Sequence, residues 1–323
     1  MASQTAWTSI SKNNISEKEI TMKFTKMQGC GNDYVYINCF EEKVENPTEL
    51  AIKLSDRHFG IGGDGVILIR PSEIADCMMD MYNLDGSRGK MCGNGIRCVG
   101  KYAYDHGIAI KPEIKVETLS GIKTLKFFTG ADGKVETVSV DMGSAIFDPK
   151  EIPLNVKYIE ILANNNCTDA VTSYNHYKSG ASNCIKNFPL TINGKELRFT
   201  FVSMGNPHAV TFIDDTASLK IEDYGPEAEV HEIFPEKANI EFIQIVDRKH
   251  INMRVWERGS GETFACGTGA CAAVVACVEN GLTDTEVEVK LLGGILKINY
   301  NPDTKEVIMN GPAVEVFSGD INI

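Results

Sequence analysis

The sequence predicts an α+β protein built as two similar lobes, and three observations carry that expectation. A chain of 323 residues is long for one core and suits two of roughly 150 residues each. Short strand-like runs broken by Gly, Asn and Asp turns dominate it, with few helical segments between them. A Cys-Gly-x-Gly motif followed by an apolar helical run occurs twice, at Cys92 and at Cys266, about 170 residues apart. The flanking residues share little identity, so the repeat is one of architecture.

Composition narrows the function classes. With 43% hydrophobic and 24% charged residues and no apolar run long enough to cross a bilayer, the chain reads as a soluble globular protein with no membrane role. A net charge of -12 speaks against nucleic acid, whose phosphates require clustered Lys and Arg. A small-molecule substrate fits better. Residues 1–21 are polar and lack the apolar stretch of a secretory signal, so they are expected to be a disordered tail outside the fold, on a cytoplasmic protein. The ten cysteines are then expected to stay reduced. Neither they nor the six scattered histidines have zinc-site spacing, and no metal is expected.

The elements follow in order. From Lys23 a strand leads to a break at Gly29-Cys30-Gly31-Asn32-Asp33, and Tyr34 to Ile37 resumes as strand. A helix is expected from Glu49 to Arg57, a turn from Gly60 to Gly65, and buried strands over Val66–Ile69 and Met78–Tyr82. Asn83 to Ser87 forms a turn ahead of Met91-Cys92-Gly93-Asn94-Gly95, and a helical run over Val99–Asp105 ends at Gly107. Ile114 to about Ala145 reads as a meander, and the polar, Asn-rich stretch from about Val156 to Asn187 as a long excursion between strands. Strands return at Leu197–Val202, Ala209–Ile213, Ile240–Ile245 and Asn252–Trp256. Cys266-Gly267-Thr268-Gly269 then leads into an apolar helix from Ala270 to Glu279, and strands occupy Val287 to Ile323.

A cysteine just ahead of a helix has two advantages. The macrodipole lowers its pKa from about 8.5, and the free N–H groups of the first turn form a cradle for an anion. Glycines let the ligand approach closely, while Asn94 and Thr268 keep the cradle polar. If the lobes face each other, a substrate carboxylate can sit between both helix starts with its α-carbon flanked by two sulfurs. One thiolate then removes the α-proton while the opposite thiol delivers another, inverting the centre. A lone cysteine near a helix is ordinarily a small buried hydrophobe, and Cys39, Cys77, Cys98, Cys271 and Cys277 are read that way. Cys167 and Cys184 are expected to be incidental, and Cys30 sits in a turn that can approach a ligand.

The chain also carries KMQGCGNDYVYI, RHFGIGGDG, YNLDGSRGKMCGNGIRC, SMGNPHAV, ANIEF and WERGSGETFACGTGACAA in this order. These blocks resemble the diaminopimelate epimerase family from about Lys23 to Ile323. The resemblance implies two pseudo-symmetric lobes, each a mostly antiparallel, barrel-like sheet around a central helix. The lobes are expected at 22–145 and 146–311, with residues 312–323 returning to the first. It further implies interconversion of LL- and meso-2,6-diaminoheptanedioate in lysine and peptidoglycan biosynthesis, without cofactor or metal, by a homodimer.

By matching position, Cys92 and Cys266 resemble the family's acid and base, and Gly93, Asn94, Gly267 and Thr268 its carboxylate cradle. Asn32, Asn83, Asn206, Asn239 and Arg258 resemble the side chains that read the substrate, chiefly at its distal end, where Arg258 offers a planar fork and the asparagines offer donors and acceptors. Glu257 and His208 resemble groups that orient the reacting amino group or tune the thiols. The sequence departs from the family pattern at Gly65, where some members carry Gln, and over residues 156–187. The competing functions are a two-cysteine racemase of the proline racemase type and a thiol redox switch. Asn94 and the Glu257-Arg258-Gly259 block favour the diaminopimelate branch over the former.

Overall fold

The structure, a computed structural model, describes residues 21–164 and 168–322. The expected tail at residues 1–20 and Cys167 lie outside them, while Thr21 already opens the first strand. The first half of the chain comprises β1 (Thr21–Gly29), β2 (Asn32–Asn38), α1 (Pro47–Ser55), β3 (Gly65–Arg70), β4 (Cys77–Asn83), β5 (Arg88–Gly89), α2 (Gly93–Asp105), β6 (Glu113–Thr118), β7 (Gly121–Thr129) and β8 (Val135–Ser144). Next come α3 (Val156–Asn164), α4 (Thr168–Lys178), β9 (Phe188–Ile192), β10 (Lys195–Ser203), β11 (Pro207–Phe212), α5 (Gly225–Glu229) and β12 (Asn239–Ile245). The chain ends with β13 (His250–Glu257), β14 (Gly261–Glu262), α6 (Gly267–Glu279), β15 (Glu286–Leu291), β16 (Gly294–Tyr300), β17 (Glu306–Pro312) and β18 (Val314–Asn322).

The internal repeat is visible in the strand pairings. β1 pairs antiparallel with β2, β2 parallel with β3, β3 antiparallel with β4 and β4 parallel with β6, after which β6, β7 and β8 run antiparallel. β10, β11, β12, β13, β15, β16 and β17 repeat that series step for step. β8 and β17 join the two series antiparallel, and β18 lies antiparallel on β1 as β9 does on β10. The four parallel steps among the described residues are β2 with β3, β4 with β6, β11 with β12 and β13 with β15. Antiparallel pairing otherwise prevails.

Each series wraps one helix. α2 packs on β1, β2, β4, β6, β7 and β8, and α6 on β10, β11, β12, β15, β16 and β17. An all-apolar helix belongs in an interior, and every residue of α6 from Ala270 to Cys277 has no exposed surface. Cys98, Cys271 and Cys277 lie in the same continuous core, where they serve as small hydrophobes.

Local chemistry sets several boundaries. Asn46 caps α1 by accepting from the Glu49 N–H at 3.4 Å, and Pro47 occupies the first turn, where its missing N–H costs nothing. Cys30 and Gly31 form the two-residue turn between β1 and β2, both with positive φ (54° and 81°). That hairpin tip rests on the other lobe. A Cβ on Gly293 would stand 1.8 Å from the Cys30 carbonyl oxygen, so only glycine lets the two backbones meet there.

The excursion expected over residues 156–187 is instead largely helical, holding α3 and α4. Ile159 and Tyr174 are buried in a second core with Phe188, Phe199, Phe201 and Phe242. Isolated helices this short are marginal in water, so tertiary contacts rather than local sequence hold them. Cys184, expected to be incidental, is fully buried in the main core.

Candidate active site

Cys92 and Cys266 are the N-caps of α2 and α6. Both have extended backbones, and both sulfurs accept the N–H three residues on, Gly95 and Gly269, each at 3.4 Å. The thiol therefore occupies the place that Ser or Asp ordinarily fills at a helix start. The expected helix starts at Val99 and Ala270 were too late, because Gly93-Asn94-Gly95 and Gly267-Thr268-Gly269 already have helical geometry despite their low propensity. The two helices meet head to head. A Cβ on Gly267 would stand 3.4 Å from the Gly93 Cα, and one on Gly93 would stand 3.6 Å from the Gly267 Cα. Asn94 Nδ2 crosses the seam to the Ala265 carbonyl at 3.0 Å.

The expected lowering of the thiol pKa is overturned. Burial pushes Cys92 above the ordinary thiol value; the Gly95 and Asn94 N–H groups pull it back, and Glu257 adds to the rise. Cys266 is pushed well above it by burial, then by the carboxylates Glu257 and Glu241, against the opposing bonds from Thr268 and Gly269. A helix end contributes up to about 2 kcal/mol, and desolvating a sulfur anion here outweighs it.

The two sulfurs have different surroundings. Cys92 donates to Asn32 Oδ1 at 3.2 Å, and Asn32 Nδ2 donates to Asp64 Oδ2 at 2.7 Å. Arg57 links Asp64 to Asp33, which also pairs with Lys26 at 2.5 Å. Burial raises the Asp33 pKa, but the Arg57 and Lys26 contacts outweigh it and leave the carboxyl below its usual range. At the other sulfur, Thr268 Oγ1 lies 3.6 Å from Cys266 Sγ and accepts from Asn206 Nδ2 at 3.3 Å. Asn206 Oδ1 faces His208 Nε2 at 3.0 Å, and His208 Nδ1 faces Glu241 Oε1 at 2.6 Å.

Other anticipated residues are spent differently. Asn94 Oδ1 accepts from Arg97 at 2.9 Å, so its amide braces the helix starts and only its backbone N–H is left for the cradle. Asn239 is buried, donating to the Pro207 carbonyl and accepting from the Arg258 N–H, both at 3.0 Å, so it shapes the loop that carries Arg258. Asn83 donates to Ser87 Oγ at 2.9 Å, and the exposed Arg258 donates to the Glu236 carbonyl at 3.1 Å. The Glu257 carboxylate accepts from the Thr263 hydroxyl and, alone among these groups, bears on both sulfurs. Gly65 has no room for a side chain, since a Cβ there would stand 2.1 Å from the Tyr82 carbonyl oxygen. Among the described residues no group of three His, Cys, Asp or Glu is placed to hold a metal ion.

Two residues escaped the sequence reading. Arg97 is wholly buried and donates to the carbonyls of Gly93 at 3.0 Å and Pro312 at 3.1 Å as well as to Asn94. Glu241 is wholly buried beside His208. Both lie inside the quoted blocks, and a charge set among apolar residues of a strand or helix was the signal available for each.

The same blocks fall within a wider match. The family profile described as diaminopimelate epimerase matches residues 24–147 and 200–316. The chain belongs to the diaminopimelate epimerase family. The relative named diaminopimelate epimerase from Agathobacter rectalis is 52% identical over 302 residues, covering 94% of this chain and 100% of that protein. The one so named from Acetivibrio thermocellus is 50% identical, covering 94% of this chain and 99% of its own length. Among solved structures, a Bacillus anthracis phenazine biosynthesis protein of the PhzF family superposes with a TM-score of 0.64 at 18% identity, over 94% of this chain and 100% of that one. A hydroxyproline epimerase from Agrobacterium vitis superposes with a TM-score of 0.59 at 12% identity, over 93% of this chain and 91% of that one. Identities that low establish a shared fold alone. This chain thus shares its two-lobed α+β fold with both.

Proposed function

We propose that this protein interconverts LL- and meso-2,6-diaminoheptanedioate by passing an α-proton between Cys92 and Cys266. The observation that carries this is the head-to-head meeting of α2 and α6 at Gly93 and Gly267, each helix capped by one of the two thiols. A carboxylate above that junction would meet first-turn N–H groups of both helices, which have no partner within the helix. Its α-carbon would then lie between the sulfurs, one on each face.

Fixed N–H donors stabilise the negative charge that spreads onto the carboxylate as the α-proton leaves. Glu257, whose charge bears on both sulfurs, holds the substrate's α-ammonium in this reading, and that positive charge would offset the burial that keeps the thiols protonated. One thiol can then ionise and act as base while the other donates. Arg258, Asn32, Asn83, Asn206 and Asn239 complete the substrate shell in this reading, with Asn239 acting through the Arg258 loop. The lobes divide at about residue 145, and the β8 and β17 seam supports that division. Cytoplasmic residence and a homodimer belong to the same proposal. Among the described residues no helix is long and apolar enough to cross a membrane.

Incubation with the LL isomer in deuterated water should yield the meso isomer labelled at the inverted α-carbon, and Cys92→Ala and Cys266→Ala should each abolish inversion. Turnover of proline instead, or full activity in either variant, would overturn the proposal.

A further inference from the structure

Glu241 is a carboxyl set in the interior without a full set of partners. Its side chain has no exposed surface, Oε1 contacts His208 Nδ1 at 2.6 Å, and Oε2 is buried with no hydrogen-bond partner. Leaving a buried carboxyl half satisfied is costly, and an apolar residue would suit this strand position better, between Val210 and Val255 on the neighbouring strands. Room has nevertheless been kept for it. A Cβ on Gly269, in the first turn of α6, would stand 2.7 Å from Oε1, so the glycine of the second Cys-Gly-x-Gly motif and the carboxyl are matched.

The contacts beyond Glu241 have a direction. Asn206 Nδ2 donates to Thr268, so Asn206 Oδ1 faces His208 Nε2, and an amide oxygen can only accept. His208 must therefore carry hydrogen on Nε2, which leaves Nδ1 to share one proton with Glu241. Thr268 Oγ1 already accepts from Asn206, so its own hydrogen is free to point at Cys266 Sγ, 3.6 Å away. Each link fixes the next.

We propose that Glu241 is a positioning residue that acts on Cys266 through His208, Asn206 and Thr268. By holding the imidazole in the Nε2–H form it turns the Thr268 hydroxyl toward the sulfur, where a donated hydrogen bond favours the thiolate. Burial holds the Glu241 carboxyl above its usual range, and Oε1 stands close enough to His208 Nδ1, at 2.6 Å, for the two to share one proton. The field of the carboxylate raises Cys266, and the proton shared with His208 and the hydrogen-bond chain act against that field. The chain from Cys92 runs elsewhere, through Asn32 to Asp64, and includes neither Glu241 nor His208. This inference rests on the two-thiol reading of the site, but its main test does not.

The test is site-resolved alkylation with iodoacetamide across a pH series in the full-length protein, with the Cys92 and Cys266 peptides quantified by mass spectrometry. Glu241→Gln should move the Cys266 profile to higher pH and leave that of Cys92 in place. Thr268→Val removes the last link and should do the same, and Glu241→Gln in a Thr268→Val background should add no further shift, because both act through one chain. Glu241→Asp should restore part of the effect. With 2,6-diaminoheptanedioate, Glu241→Gln should lower kcat by about tenfold to a hundredfold with KM nearly unchanged, the size of effect seen when the partner that orients a metal-ligating imidazole is removed. Unmoved profiles, equal shifts at both sulfurs, a downward shift at Cys266 or full additivity with Thr268→Val would each overturn the proposal. Should Glu241→Gln fail to fold, Glu241→Asp and Thr268→Val decide by the same readings. Wild-type protein without epimerase activity would defeat the function proposed above while leaving the alkylation result to stand by itself.

Discussion

The Cys92 sulfur lies 3.2 Å from Asn32 Oδ1, and the contact runs one way. Asn32 gives its NH₂ to Asp64 Oδ2, so the amide presents oxygen to the sulfur. Cys92 is thus held as the donor, a thiol. Both sulfurs accept the N–H three residues on, and the side-chain neighbour of Cys266 is instead the Thr268 hydroxyl, able to give it a hydrogen. Two motifs of the same pattern at equivalent helix starts present their sulfurs to side-chain neighbours of opposite polarity.

Removing the acceptor should therefore release the Cys92 proton more easily. In Asn32→Ala the N–H of Gly95 still donates to the sulfur while nothing accepts from it, so the thiolate gains relative to the thiol. Iodoacetamide labelling of Cys92 at about pH 8, near the ordinary thiol pKa, should be faster than in wild type, with Cys266 labelled at an unchanged rate. An unchanged Cys92 rate would refute the direction assigned to the contact.

Both thiols have folded-state pKa values above their unfolded value of about 8.5. Below that pH both states hold the protons and nothing changes. Above it the unfolded chain releases them first, so it binds fewer protons than the native state and stability falls as pH rises, until the folded thiols ionise too. Each cysteine contributes up to about 1.4 kcal/mol of lost stability per pH unit within that window. Buried tyrosines such as Tyr36 titrate in the same direction, with burial as the main cause. The comparison must therefore be with a Cys92→Ala, Cys266→Ala double variant. Urea midpoints measured between pH 7 and 10 should fall more steeply for wild type than for the double variant; parallel curves would show that the thiols are not raised.

What the sequence discloses is composition at a position, and what it conceals is which partner a polar side chain chooses. The two thiols were legible because the motif occurs twice with an apolar helix behind each copy, a pattern that backbone geometry must answer in the same way both times. Asn94 and Asn239 were legible as polar residues of the quoted blocks but not in their partners, since an amide can be spent on a ligand or on a neighbouring carbonyl and its letter is the same. The thiol pKa was misjudged because a cap position is local while desolvation depends on the opposite lobe. The helices α3 and α4 escaped because their stability comes from the core they touch. Glu241 and Arg97 were hidden by the ordinary expectation that charges lie outside.

Arg97 offers the sharpest test of how the two helix starts are held together. Its guanidinium reaches the Gly93 carbonyl, the Asn94 amide oxygen and the Pro312 carbonyl, and so connects the Cys92 motif, the bridge to Ala265 and the chain that returns through β18. Hydrogen bonds to a charged group contribute about 1.5–3 kcal/mol each, and acceptors left bare in a dry interior add their own penalty. These terms are not additive where one group serves several partners. Arg97→Met preserves much of the volume but abandons all three acceptors, so it should lower stability by about 3–5 kcal/mol, the range seen when a buried charged group is removed from its partners. Arg97→Lys keeps the charge but cannot span the fork, and most of the loss should remain. Urea unfolding followed by tryptophan fluorescence measures both. If Lys proves equivalent to Arg, the charge alone matters and the three directed bonds do not hold the junction.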